Sequence, residues 1–149
     1  MPKPTPDPVD PTKVKDLALK LVSEVKFPLL ATVDSTNHPR LRPVSPVLTE
    51  GFVVYVANLR QYSKTKEIEG NPKVELCYTN TSHDQVRISG LAEILEDQEK
   101  PQVIWDSNPL LRQFMGSLNN PALIIYRVKP TCVKYMKEWA LEYFDVRIE

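Results

Sequence analysis

The sequence predicts a mainly β (α+β) protein, an antiparallel barrel with a few covering helices. Three observations carry that reading: five to seven short runs of alternating or continuous apolar residues, turn chemistry between them too brief for parallel crossovers, and a helical period confined to a few segments. Closure of such strands into a barrel removes the exposed edges that an open sheet would leave.

The first eleven residues, MPKPTPDPVDP, hold five of the fourteen prolines and almost nothing apolar, so residues 1–11 are expected to be a poorly ordered lead-in to one domain over 12–149. Asp10 or Thr12 then caps a helix in which Val14, Leu17, Leu21, Val22 and Val25 form one apolar face, ended by Pro28. FPLLATVD is the first strand, HPRLRPVSPVLTE the second and FVVYVAN the third, with Asp34 to Asn37 and Glu50-Gly51 as turns. QYSKTKEIEGNP predicts a brief helix that stops at Gly70-Asn71-Pro72. KVELCYTNT and QVRISGLAEILE follow as strands, with Gly90 marking a bulge or a close backbone approach. Val103, Ile104, Leu110, Leu111 and Phe114 predict two short helices broken by Pro109, PALIIYRVKPTCVKYMKE returns to strand, and an aromatic tail carries Trp139, Leu141, Tyr143 and Phe144.

With 149 residues, 42% apolar and 26% charged, the chain can bury a sizeable core, and its 19 basic and 19 acidic residues exclude a global pull toward nucleic acid or membrane. The longest apolar runs, such as Ala122 to Tyr126, fall far short of a bilayer span, and the N-terminus lacks a signal-like apolar region, so a cytoplasmic protein is expected. Cys77 and Cys132 lack metal-ligand spacing and read as two buried thiols; no metal site is expected.

Charge is nevertheless concentrated locally. Between residues 38 and 66 stand Arg40, Arg42, Arg60, Lys64 and Lys66 against one acid, Glu50, interleaved with the hydroxyls of Ser45, Tyr62, Ser63 and Thr65. Together with the N–H groups of a helix opening near Ser63, this set suits a phosphate monoester, although a solvated basic face accounts for the composition equally well. In the second strand, Pro43 and Pro46 each remove a ladder donor, which predicts an irregular or edge strand. Alternation puts Arg40, Arg42 and Val44 on one face, where the arginines could converge on one charged group.

The blocks RPVSPV, FVVYVANLRQYSKTKEIEGNPKV and QVRISGLAEIL, in that order over residues 28–96, resemble the pyridoxamine 5'-phosphate oxidase-like FMN-binding split barrels, including their general stress protein branch. The resemblance implies a six- to seven-stranded split barrel that binds FMN at the interface of a homodimer and acts as a small-molecule oxidoreductase. It places Arg42, Pro43, Val44 and Ser45 along the cofactor, with Val56 and Ala57 beside its ring. Ser63 and Lys64 match the phosphate-gripping positions, Gln85 matches a flavin-bonding glutamine, and Arg87 on the same face would reach the same ligand.

The family-like site would take electrons from a reduced nicotinamide or another small donor, and no catalytic acid or base is assigned. Backbone N–H groups of Val44 and Ser45, or Gln85, would steady a reduced flavin. Two departures point away from vitamin B6 oxidation: Val47 lies near a position usually basic, and FDVRIE carries no Arg-x-His element; Ser63, where many members have arginine, removes one charge from the phosphate grip but leaves Lys64. A non-catalytic flavin-binding or stress-response protein, or a deazaflavin or haem binder on the same barrel, is the alternative.

Overall fold

The computed structural model of the protein describes residues 1–2, 8–138 and 142–148. Asp10 accepts from the Thr12 N–H at 3.0 Å and caps a single 3-10 turn, Pro11–Lys13, that runs into helix α1, Val14–Glu24. Its buried stripe is Val14, Ala18, Leu21 and Val22, whereas Leu17, expected on that face, is 38% exposed. The helical period from Val14 leads to Ala18, so the smaller side chain points inward. Of the expected lead-in 1–11, residues 3–7 lie outside the described residues, as do Trp139 and Leu141 of the expected tail, while Val9 packs partly buried against the inner core.

Eight strands follow among the described residues: β1 Leu29–Val33, β2 Pro39–Pro43, β3 Pro46–Glu50, β4 Val53–Leu59, β5 Lys73–Thr79, β6 Gln85–Ile94, β7 Leu123–Met136 and β8 Phe144–Val146. Helix α2, Ser63–Gly70, links β4 to β5, and α3, Glu99–Ser107, with α4, Pro109–Met115, links β6 to β7. All pairings are antiparallel, in the order β2-β1-β5-β6-β7-β4-β3, with β8 added beside β7.

The segment expected as one second strand is two. β2 and β3 occupy opposite ends of the strand order, yet the three Cα steps from Pro43 to Pro46 reach at most about 11 Å. Laid flat, seven strands would separate those ends by about 29 Å. The sheet must therefore curl until its two edges approach, and the prolines stand where no ladder donor is needed: at the start and end of β2 and the start of β3.

Two clusters form on the two faces of this curled sheet. Leu30, Leu76, Ile88, Val133, Val54 and Val56 point inward and are closed over by Ala18, Leu21 and Val22 of α1. Tyr55, Ile125 and Leu123 point outward beneath Ile104 and Met115 of α3 and α4. β4 is thus covered on both faces, which explains why FVVYVA reads as continuously apolar rather than alternating. Gly90 sits at the register shift between β6 and β7, as expected from the sequence.

Tyr78 and Tyr126 are 1% and 0% exposed, and their hydroxyls have no hydrogen-bond partner among the described residues; burial pushes both phenols well above their ordinary range. Because a buried hydroxyl without a partner adds desolvation cost and no bond, Tyr126→Phe is expected to change unfolding free energy by less than about 1 kcal/mol, or to raise it. A loss above about 2 kcal/mol in urea denaturation would reveal a hydrogen bond to this hydroxyl.

Candidate functional site

Inward-facing side chains form rows across the sheet. The row through Arg42 continues as Leu30, Leu76, Ile88 and Val133, so Arg42 extends along the inner face of β2. Arg40 shares that face, paired opposite Thr32. The two arginines do not converge on one group. Arg40 Nε donates to Asp34 Oδ2 at 2.9 Å, while Arg42 Nη2 donates to Glu67 Oε1 at 2.7 Å and Arg42 Nη1 donates to Thr32 Oγ1 at 2.6 Å.

Asp34 is also fixed by the hairpin turn it opens. Hydrogen bonds from the Thr36 hydroxyl and the His38 N–H hold its carboxyl well below the usual carboxylate range. The basic patch is therefore less positive than its composition implies, because Asp34 and Glu67, both outside the 38–66 window, fold into it. A turn acid is recognisable in DSTN, but Glu67 becomes a site residue only through contacts 25 and 35 positions away.

α2 brings the remaining cations. Its N-terminal turn is anchored by Asn58, whose Nδ2 donates to Thr65 Oγ1 at 3.0 Å, and by Thr65 Oγ1, which donates to the Leu59 carbonyl at 3.0 Å. Tyr62 at the N-cap supplies no side-chain bond, and the Thr65 N–H donates to the Tyr62 carbonyl at 3.1 Å, so the N–H groups of Ser63 and Lys64 open the helix without a side-chain cap. Lys64 is half-buried and forms no hydrogen bond or ion pair among the described residues. Burial and the Arg42 charge lower its pKa below the ordinary lysine value.

Asp34, Ser35, Arg40, Arg42, Ser63, Lys66 and Glu67 line an open cleft of about 480 Å³ here. A desolvated lysine beside another cation, at an uncapped helix start, is the chemistry of an anion site. Such a set suits the charge of a phosphate monoester.

None of Pro43, Val44, Ser45, Val56 and Ala57, the expected cofactor positions on the strands, lines this cleft. Pro43 ends β2 with its side chain outward. Val44 is 4% exposed in the inner core, and its N–H donates to the Pro28 carbonyl at 2.9 Å, so it is not free to serve a ring. Ser45 is exposed at a groove of about 670 Å³ shared with Val47, Leu110, Leu111 and Phe114. Val56 points into the core opposite Tyr126, while Ala57 points the other way into a groove of about 240 Å³ with Tyr62, Leu111 and Phe114. The alternation of β4 separates these two neighbours.

Arg60 is not part of the cation cluster, because its Nε donates to the Pro121 carbonyl at 3.0 Å. Cys77 and Cys132 are half-buried rather than buried, facing outward from β5 and β7.

Gln85 and Arg87 share a face, as expected, but it is the outer face of β6. The row Pro43, Leu29, Cys77, Arg87, Lys134 contains Arg87 and excludes Arg42. The Arg87 guanidinium lies over the Tyr143 ring at 4.6 Å from its centroid, with Glu75 at 4.0 Å. Between β2 and β6 stand β1 and β5, a lateral separation of about 14 Å. One chain does not bring Gln85 and Arg87 to the cleft lined by Arg42, Ser63 and Lys66.

Comparison with known proteins places the chain. A family model described as pyridoxamine 5'-phosphate oxidase matches residues 14–137. General stress protein 26 of Bacillus subtilis is 25% identical over 130 residues, covering 83% of this chain and 88% of that protein. Among solved structures, a protein of Clostridium acetobutylicum related to general stress protein 26 superposes with a TM-score of 0.77 at 14% identity, covering 94% of this chain and 97% of that one. A haem-binding protein from Mycobacterium smegmatis superposes with a TM-score of 0.75 at 11% identity, over 97% of this chain and 60% of that one. No helix among the described residues is long and apolar enough to cross a membrane.

Proposed function

The chain belongs to the pyridoxamine 5'-phosphate oxidase family, and from that premise we propose that it is an FMN-binding flavoprotein, a small-molecule oxidoreductase rather than a vitamin B6 oxidase. The observation that carries this reading is Lys64: a half-buried cation without a carboxylate partner among the described residues, held beside Arg42 at the start of α2, where no side chain caps the helix. Flavin, when bound, supplies the electron-transfer chemistry, and the residues named here bind and orient it. Ser63, Lys64 and the cleft-facing Lys66 hold the phosphate, and Ser45 with Ala57 border the apolar grooves on either side of α4.

Gln85 and Arg87 reach such a ligand only from a second copy of the chain, which supports a homodimer with flavin at the subunit interface. The outer face that carries them continues to Leu29 and Leu41, which are 39% and 64% exposed, so it offers apolar surface for that contact. Val47, in the groove beside Ser45, adds no charge for a phosphorylated substrate.

The decisive experiment is a visible spectrum of the purified protein, followed by titration with FMN and mass spectrometry of released ligand. Flavin bands near the usual yellow absorption, and a dimer in sedimentation, are the expected result. An intense Soret band would instead assign the barrel to haem, and no response to FMN would remove the reading. Bleaching by a reduced nicotinamide under anaerobic conditions separates an oxidoreductase from a flavin carrier.

The Lys64 shift also has a defined sign. In the free protein its depressed pKa means that stability increases as pH rises through that value, because the buried charge is relieved. Phosphate binding has the opposite sign, since it needs the charged form. FMN affinity is therefore expected to fall with rising pH beginning below the ordinary lysine value of 10.5, and Lys64→Arg to move that fall upward.

A further inference from the structure

Arg42 is a cation already engaged. Its Nη2 donates to Glu67 Oε1 at 2.7 Å and to Oε2 at 3.4 Å, its Nη1 donates to Thr32 Oγ1 at 2.6 Å, and the Thr32 hydroxyl donates to Glu67 Oε1 at 3.0 Å. The carboxylate closing this ring has a side chain only 9% exposed, yet it lines the same cleft as Ser63 and Lys66. Arg40 is likewise held by Asp34, whereas Lys64 and Lys66 have no ion pair among the described residues.

Resting on the reading of this cleft as the seat of a flavin phosphate, we propose that Glu67 is an internal stand-in for that phosphate: it occupies Arg42 in the free protein, and an incoming phosphate monoester must take the guanidinium from it. Carboxylate and phosphate are both acceptor-only anions that use the paired N–H groups of arginine. Placed in one cleft they repel, and Arg42 serves one of them at a time. Glu67 thus keeps the arginine extended along β1 when no ligand is present and lowers affinity for a charged tail. A neutral ribityl tail meets no such competitor, so Glu67 narrows the preference for FMN over riboflavin.

Glu67→Gln isolates the effect, because its amide oxygen still accepts from Arg42 and Thr32 while the charge is gone. Expected is FMN binding tighter by about tenfold, with riboflavin changed less than about twofold and inorganic phosphate displacing FMN at correspondingly lower concentration. In the wild-type protein, the carbon-13 resonance of the Glu67 carboxyl is expected to move as FMN saturates the site. Unchanged or weaker FMN binding in a folded Glu67→Gln protein overturns the inference and leaves the flavin reading intact. Failure of wild type and variant alike to bind FMN overturns both. Where the variant does not fold, the wild-type titration decides alone: a carboxyl resonance unmoved at saturation refutes the exchange.

Discussion

Lys64→Ala is expected to weaken FMN binding by about tenfold to a hundredfold, the range set by one charge-assisted hydrogen bond of roughly 1.5 to 3 kcal/mol. Riboflavin binding should change far less, since it lacks the phosphate. The asymmetry follows from the structure: Arg40 and Arg42 are each matched by a carboxylate, whereas Lys64, at the start of α2, has no ion pair among the described residues. Isothermal titration of both ligands measures it. Equal losses for FMN and riboflavin would show that Lys64 does not touch the phosphate.

Gly90→Ala is expected to destabilise the fold by about 3 kcal/mol, a large share of the roughly 5–15 kcal/mol that holds a domain of this size. A Cβ at this position would lie 2.4 Å from the Lys129 carbonyl oxygen and 3.0 Å from Val128 Cγ1. The obstacle is backbone in the longest strand pairing of the sheet, at the register shift between Ser89 and Gly90, so it cannot rotate away as a flexible side chain would. Gly70→Ala is the control: nothing lies within 4 Å of its added methyl. Urea unfolding midpoints should fall sharply for the first variant and hardly at all for the second. A Gly90→Ala protein as stable as wild type would mean that β6 and β7 do not approach at this point.

Legibility in the sequence followed the range of the interaction. Gly90 stood out because an isolated glycine in an apolar strand has few other uses. The prolines at 39, 43 and 46 announced an edge, but they did not show that the strand divides into β2 and β3 at opposite ends of the strand order. Hydrophobicity alone assigns Leu17 to the buried helix face, although the period begun at Val14 leads to Ala18. Nothing in the local sequence marks the Val44 N–H as occupied, because its acceptor is the Pro28 carbonyl sixteen residues earlier.

What the residues by themselves determined is local in origin: the antiparallel strands and their turns, the α2 segment with its cations, and the bulge at Gly90, all dictated by side-chain period, proline and glycine. Tertiary structure decided which charges remain free. It paired Arg42 with Glu67 and Arg40 with Asp34, left Lys64 without a carboxylate among the described residues, and turned Gln85 and Arg87 to the opposite face. Chain order lists charges without distances, and electrostatic pairing depends on distance and burial, so only the curled sheet could select the cation that an anionic ligand would meet.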